Sequence, residues 1–205
     1  MNYEKIISFA KEAKVDYAHN FEHVLRVFHS AMKIAEGHPE ADTEVLRTAV
    51  LLHDIGRSDL TAAHAKKGAV MAKEWLIQNG YGDEFVGKVA RVISAHSDMD
   101  EARDAGIEGE ILWDADKLEM TGVIGALRAM LYCEEAGLPI KAESPSVGAD
   151  SISPRDLIEQ YTEDMEIASR GFHTKEAMEL AKERLAFGYE MLKRLDAEIP
   201  KEDLL

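Results

Sequence analysis

Eight residues, Ala49-Val50-Leu51-Leu52-His53-Asp54-Ile55-Gly56, constrain the fold of this chain more than any other stretch. A run this apolar belongs to a helix buried on several of its faces. It ends, however, in a histidine beside a carboxylate, and a buried carboxylate must be paired or coordinated rather than left bare. A metal site satisfies both groups at once.

The rest of the chain reads as helices of similar period. An amphipathic helix is expected over about residues 3 to 14, and Asn20 is placed to cap a second that runs to about Glu36 and stops at Gly37-His38-Pro39. His23 lies at the edge of the apolar arc of that second helix, beside Val27 and Ile34. A third, central helix covers Thr43 to Ile55, and others cover His64 to Gln78 and Phe85 to Ala95. Met99 to Gly109 is acidic and glycine-containing, which reads as a surface connection. Helical pattern then resumes over Ile111 to Glu135, with Asp116 on one stripe with Leu112, Met120, Val123 and Leu127, so its carboxylate is expected to point inward. Gly137 to Pro154 has the composition of a long loop able to cover a pocket, and helices over Arg155 to Ala168 and Thr174 to Leu195 come after it. No strand alternation, repeat or linker interrupts this series. The expected fold is all-α, a compact helical bundle, with residues 1–205 forming one domain whose last helix packs over the bundle or serves as a dimerisation arm.

Composition narrows the class. With 46% hydrophobic and 31% charged residues the chain reads as globular, and Met1 to Lys14 alternates charges with Ile6, Ile7, Phe9 and Ala10, unlike a secretion signal. The cytoplasm is the expected location, with no membrane association. The single cysteine, Cys133, excludes an internal disulfide framework and a cysteine-clustered zinc site. A net charge of −15, from 39 acidic and 24 basic residues, opposes binding to nucleic acid but not to a phosphorylated small molecule held by a metal and a few local cations.

His23, His53, Asp54 and Asp116 offer two imidazoles and two carboxylates from three helices. Such donors suit a divalent transition metal, manganese foremost, with iron, cobalt, nickel and zinc as alternatives; calcium prefers an all-oxygen shell. Adjacent side chains on a helix diverge, but the end of the helix beside Gly56 relaxes that constraint. Asp116 is preferred to Asp114, which reads as a surface charge or an acceptor for a ligand histidine.

The order His23, His53-Asp54, Asp116 resembles the HD-domain metal-dependent phosphohydrolases. Ala18-His19-Asn20-Phe21-Glu22-His23-Val24-Leu25-Arg26-Val27 is similar to the family's first-histidine helix, and Asp114-Ala115-Asp116-Lys117-Leu118 to its final-aspartate segment. Gly122-Val123-Ile124-Gly125-Ala126-Leu127-Arg128 is similar to the segment after that aspartate in a small bacterial subgroup with nucleotide pyrophosphohydrolase members. The resemblance covers residues 15 to 130. It implies an all-helical fold and cleavage of phosphate esters or anhydrides in nucleotides.

His64 and His96 lie in segments that hold a second ion in two-metal members, with the counterpart of Asp54 bridging; here Ser97 stands where some members have a further histidine. Each is a pocket residue or a cap at a helix end. Where certain nucleoside-monophosphate phosphatases of the family carry a glutamate, this chain has Arg57, able to grip a phosphate with its planar fork. The resemblance thus favours hydrolysis of a nucleoside triphosphate to monophosphate and pyrophosphate. Other nucleotide phosphatase or phosphodiesterase activity, or a catalytically weak nucleotide sensor, is the alternative. In the hydrolytic mechanism Asp54 orients the water, His64 or His96 moves the proton, and Arg57, Lys67 or Lys117 faces the phosphates. Lys67 and Lys117 read equally as solvated charges, and His19 as a neighbour of the ligands or a loop residue. His29, His38 and His173 read as surface or turn residues, and Trp75, Trp113 and Tyr132 as core or wall.

Overall fold

The computed structural model describes residues 1–13, 19–57, 63–136 and 154–198. Among them the secondary structure is entirely helical: α1 (Tyr3–Glu12), α2 (Phe21–Ala35), α3 (Thr43–Leu52), α4 (His64–Gln78), α5 (Asp83–Ala95), α6 (Met99–Asp104), α7 (Ile107–Leu118), α8 (Gly122–Ala136), α9 (Pro154–Ser169) and α10 (Lys175–Glu198). No helix among the described residues is long and apolar enough to cross a membrane.

Local chemistry sets where the site-bearing helices begin. The Asn20 side chain accepts hydrogen bonds from the backbone N–H groups of Glu22 and His23, which starts α2 and leaves His23 in its first turn. Asp42 does the same for α3, accepting from Glu44 and Val45. α3 carries buried Val45, Leu46, Thr48, Ala49, Val50, Leu51 and Leu52 on all its faces. It therefore lies at the centre, packed by α1, α2, α5 and α7. Each fully buried aliphatic side chain of this kind contributes about 1.5–3 kcal/mol.

A smaller apolar cluster of Ala126, Ala129, Tyr161, Met165 and Leu192 joins α8, α9 and α10. Tyr161 is fully buried and donates its hydroxyl to the Gly122 carbonyl at 2.6 Å, fixing α9 against the start of α8. α10 packs on α7, α8 and α9. Its start is held by Asp114, which accepts from the backbone N–H groups of His173 (2.8 Å) and Thr174 (2.7 Å) and from the Thr174 hydroxyl (2.6 Å). Asp114 is thus a buried fastener between α7 and α10, neither a surface charge nor a partner of a ligand histidine.

Several expectations are corrected. Met99 to Gly109 is not a plain surface connection: Asp98 caps the six-residue α6, too short to show a helical period, and α7 already begins at Ile107. The helical pattern of Ile111 to Glu135 is two helices. Gly122, with φ of +66°, supplies a backbone conformation that side chains disfavour, and the chain turns between α7 and α8. Val123 and Leu127 consequently leave the Asp116 stripe and are 53% and 51% exposed. The His173 side chain is buried against Trp113, with ring centroids 6.3 Å apart, rather than lying at the surface. The expected covering loop falls in residues 137–153, outside the described residues, as do the side chains of Tyr132 and Cys133.

Candidate metal centre

α3 ends at Leu52, and the chain turns through His53 to Gly56. The turn lets both neighbours, His53 and Asp54, face the same interior point. Gly56 is packed so tightly that a Cβ there would meet the backbone of His64 and Gly68 on α4, so no larger residue fits between the turn and α4.

His23, His53 and Asp54 are buried, and Asp116 is nearly so. His23 Nε2 lies 3.3 Å from Asp116 Oδ1 and 3.5 Å from Asp54 Oδ2, and His53 Nε2 lies 3.3 Å from Asp54 Oδ2. Yet His23 Nε2, His53 Nε2 and Asp54 Oδ2 meet no partner in hydrogen-bond geometry. Buried polar atoms seldom stay orphaned. Donors on one ion, each about 2.0–2.2 Å from it, stand about 3.0–3.5 Å from one another, which matches these separations.

The ring orientations agree. His53 Nδ1 faces the Val50 carbonyl at 2.8 Å and must donate its proton there, so neutral His53 presents the Nε2 lone pair inward. His96 is arranged alike, with Nδ1 2.7 Å from the Ile93 carbonyl. His23 Nδ1 is 3.4 Å from the buried carboxylate of Glu119, which is itself held by Arg26 Nε at 2.7 Å. The residues present therefore fit a divalent cation at His23, His53, Asp54 and Asp116.

Burial and the charge of Arg128 push the His23 imidazolium down, but the carboxylates of Asp116, Asp54 and Glu119 around it prevail and raise it to about 9. For Asp54, burial is outweighed by the imidazoles packed around it, His53, His23 and His96, which hold the carboxyl well below its usual range. For Asp116, burial is outweighed by Lys117, His23 and His53 with the same result. Both carboxylates are ionised at neutral pH, as metal ligands must be.

The second oxygen of Asp54 looks the other way. Oδ1 lies 3.5 Å from His96 Nε2, 3.8 Å from His64 Nε2 and 3.4 Å from Arg57 Nε. His53, Asp54 and His96 thus form a second donor group able to hold a divalent cation, beside that of His23, His53 and Asp116. Arg57 Nη2 also stands 3.2 Å from His64 Nε2.

A cavity of about 420 Å³ opens beside Asp116, within the range of about 300–1,000 Å³ usual for small-molecule sites. Its walls include His19, Arg57, Lys117, Glu119 and Arg128. Lys117 is 2.8 Å from Asp116 Oδ2 and rests over the Trp113 ring. Lys67 is exposed on α4 and is not among the residues lining this cavity.

Sequence reasoning passed over Glu119, Arg26, Arg128 and the α9 residues Gln160, Glu163 and Asp164, which also line the cavity. Glu119 and Arg26 were traceable, each lying three residues beyond a ligand on the same helical side. Nothing in the α9 sequence marks which of its polar residues face a cavity.

An all-helical bundle with a His-Asp pair at the end of its central helix, and further ligands from α2 and α7, defines a class. Residues 20–121 match the model of the HD domain, and the chain belongs to the HD-domain family. Over 190 residues it is 29% identical to YpgQ of Bacillus subtilis, spanning 90% of this chain and 86% of that protein. The crystal structure of B. subtilis YpgQ in complex with ADP has the same fold, with a TM-score of 0.71 at 23% identity over 98% of this chain and 96% of that one. A predicted HD superfamily hydrolase from an uncultured Thermotogales bacterium is similar at a TM-score of 0.62 and 28% identity, covering 95% of this chain and 91% of that one.

Proposed function

We propose that the protein is a metal-dependent phosphohydrolase that cleaves a nucleoside triphosphate to the monophosphate and pyrophosphate. The observation that supports this reading is a group of four side chains able to hold a metal, three of their atoms without a hydrogen-bond partner, beside a cavity that Asp116, Arg57, Lys117 and Arg128 line. The ADP complex of the similar protein YpgQ supports a nucleotide as the occupant.

We place manganese, or another divalent transition metal, at His23, His53, Asp54 and Asp116. When bound, the ion supplies Lewis acidity to a water and a phosphoryl oxygen. Arg57, Lys117 and Arg128 bring positive charge to the phosphoryl oxygens as negative charge builds there. Asp54 orients the attacking water. His64 and His96, with Nε2 atoms 3.3 Å apart, share one acceptor position. The Ile93 carbonyl fixes the His96 proton on Nδ1, so His96 Nε2, which faces His64 Nε2, is the acceptor we assign to the proton of that water. The water oxygen bonds to the α-phosphorus, the bridging α–β P–O bond breaks, and pyrophosphate leaves with the bond pair.

The test is product release by metal-stripped protein after adding back manganese, cobalt, nickel, magnesium or zinc, against mono-, di-, tri- and cyclic nucleotides. Pyrophosphate from a triphosphate, restored by one metal and lost in His53→Ala and Asp54→Ala, is the expected result. Orthophosphate alone would move the attack to a terminal phosphorus. No release from any substrate by folded, metal-loaded protein would sink the hydrolase reading.

A further inference from the structure

The cavity mixes two kinds of polar group. Arg57, Lys117 and Arg128 line it together with Gln160, Glu163 and Asp164 of α9. Their direction follows from the packing of α9: Tyr161, Met165 and Ala168 are buried on its inner face, which turns residues 160, 163 and 164 onto the flank that meets the cavity. Gln160 Nε2 donates to Asp164 Oδ1 at 3.0 Å, so the amide and the carboxylate brace one another in a fixed orientation.

What this wall offers a ligand is chiefly acceptors. An ionised carboxylate accepts only, and with one Nε2 hydrogen given to Asp164 the Gln160 amide keeps its carbonyl oxygen and a second N–H. A phosphate is repelled there. A hydroxyl or an N–H group is bound, and bound strongly, because the acceptor is charged. The cations and the acceptors line one chamber of about 420 Å³, so a ligand that carries both phosphates and hydrogen-bond donors matches both.

We propose that Asp164, braced by Gln160, binds the nucleoside end of the substrate through its hydrogen-bond donors, and that this contact distinguishes a nucleotide from a bare polyphosphate. The inference rests on the nucleotide reading above and names the residues that would enforce it. The donors are sugar hydroxyls or base N–H groups.

The experiment is equilibrium binding to manganese-loaded full-length protein, using α,β-methylene-ATP, its 2′,3′-dideoxy counterpart, its counterpart lacking the purine amino group, and methylenediphosphonate as the nucleoside-free anion. Asp164→Ala is expected to weaken α,β-methylene-ATP about 10- to 100-fold. It should leave methylenediphosphonate no weaker, since a repelling charge has been removed. Gln160→Ala should act in the same sense and less strongly, and metal content with circular dichroism shows that each variant is folded. In the unmodified protein, whichever counterpart reproduces the Asp164→Ala loss assigns the donor to the sugar or the base.

Equal weakening of both probes, no weakening of either, or full-strength binding of both counterparts overturns the proposal. Pyrophosphate release measured alongside separates the two readings. Asp164-dependent binding in a protein that releases nothing keeps this inference and removes the hydrolase. Release without any Asp164 effect does the reverse.

Discussion

His23 is held from both sides, by the Asp54 and Asp116 carboxylates at Nε2 and by Glu119 at Nδ1. Glu119 sets the direction in which the Nε2 lone pair points, and losing such an outer partner typically costs about 10- to 100-fold in metal affinity. Glu119→Gln is accordingly expected to bind manganese about 10- to 100-fold more weakly by calorimetric titration, with an unchanged circular dichroism spectrum. Protons compete for the same nitrogen. In metal-free protein His23 is raised to about 9 from its ordinary 6.5. The folded state therefore keeps a proton that the unfolded chain releases near pH 6.5. That stabilisation is complete below pH 6.5 and is lost as pH rises to 9. The melting temperature of chelated protein should fall across this window, while the manganese dissociation constant improves by about tenfold per pH unit. A flat affinity between pH 7 and 9 would show that no proton is displaced from His23.

At the scale of elements, the capping residues and the periodic apolar positions were enough to place most helices. Asn20 begins α2 as its side chain dictates, and the polar neighbours His53 and Asp54 escape the divergence of a regular helix because α3 stops before them. The turn at 119–121 was hidden because apolar residues keep their spacing across it, and only Gly122 hints at the change of direction. Asp116 was chosen partly for a stripe that Val123 and Leu127 do not share; its true support is the approach of α2, which brings His23 to 3.3 Å. Asp114 shows the converse, a carboxylate two residues from a ligand that holds helices together. Asp114→Ala removes three hydrogen bonds and strands two backbone N–H groups, one of them buried. It should cost about 2–4 kcal/mol in urea unfolding and, by loosening α10 from α7, reduce turnover more than metal affinity. A loss below about 0.5 kcal/mol would mean that α10 is secured elsewhere.

For the whole molecule, an ion on the four proposed ligands would tie together α2, the turn after α3 and α7. Binding to the folded state alone stabilises it, by about 2.7 kcal/mol at a free metal concentration one hundred times the dissociation constant. For a chain of this length that is about 5–10 °C of melting temperature, to be read as the difference between manganese-loaded and chelated samples. An equal melting point in both would remove the metal from the folded protein. The four proposed ligands sit in short runs with local signals, whereas the α9 wall of the cavity is a tertiary product. It depends on Tyr161 meeting Gly122 and on Gly188 leaving room for Tyr161 and Met165. No sequence window contains those partners together.

The HD match ends at residue 121, while Arg128, Gln160, Glu163 and Asp164 come from beyond it. On the proposed reading, the matched segment would carry the apparatus for cutting and the helices beyond it the choice of what is cut. Rewriting one helix would then change the diet. The same boundary offers an engineer a place to graft, since α9 exchanged between relatives would carry a preference across and leave the cutting edge as it was.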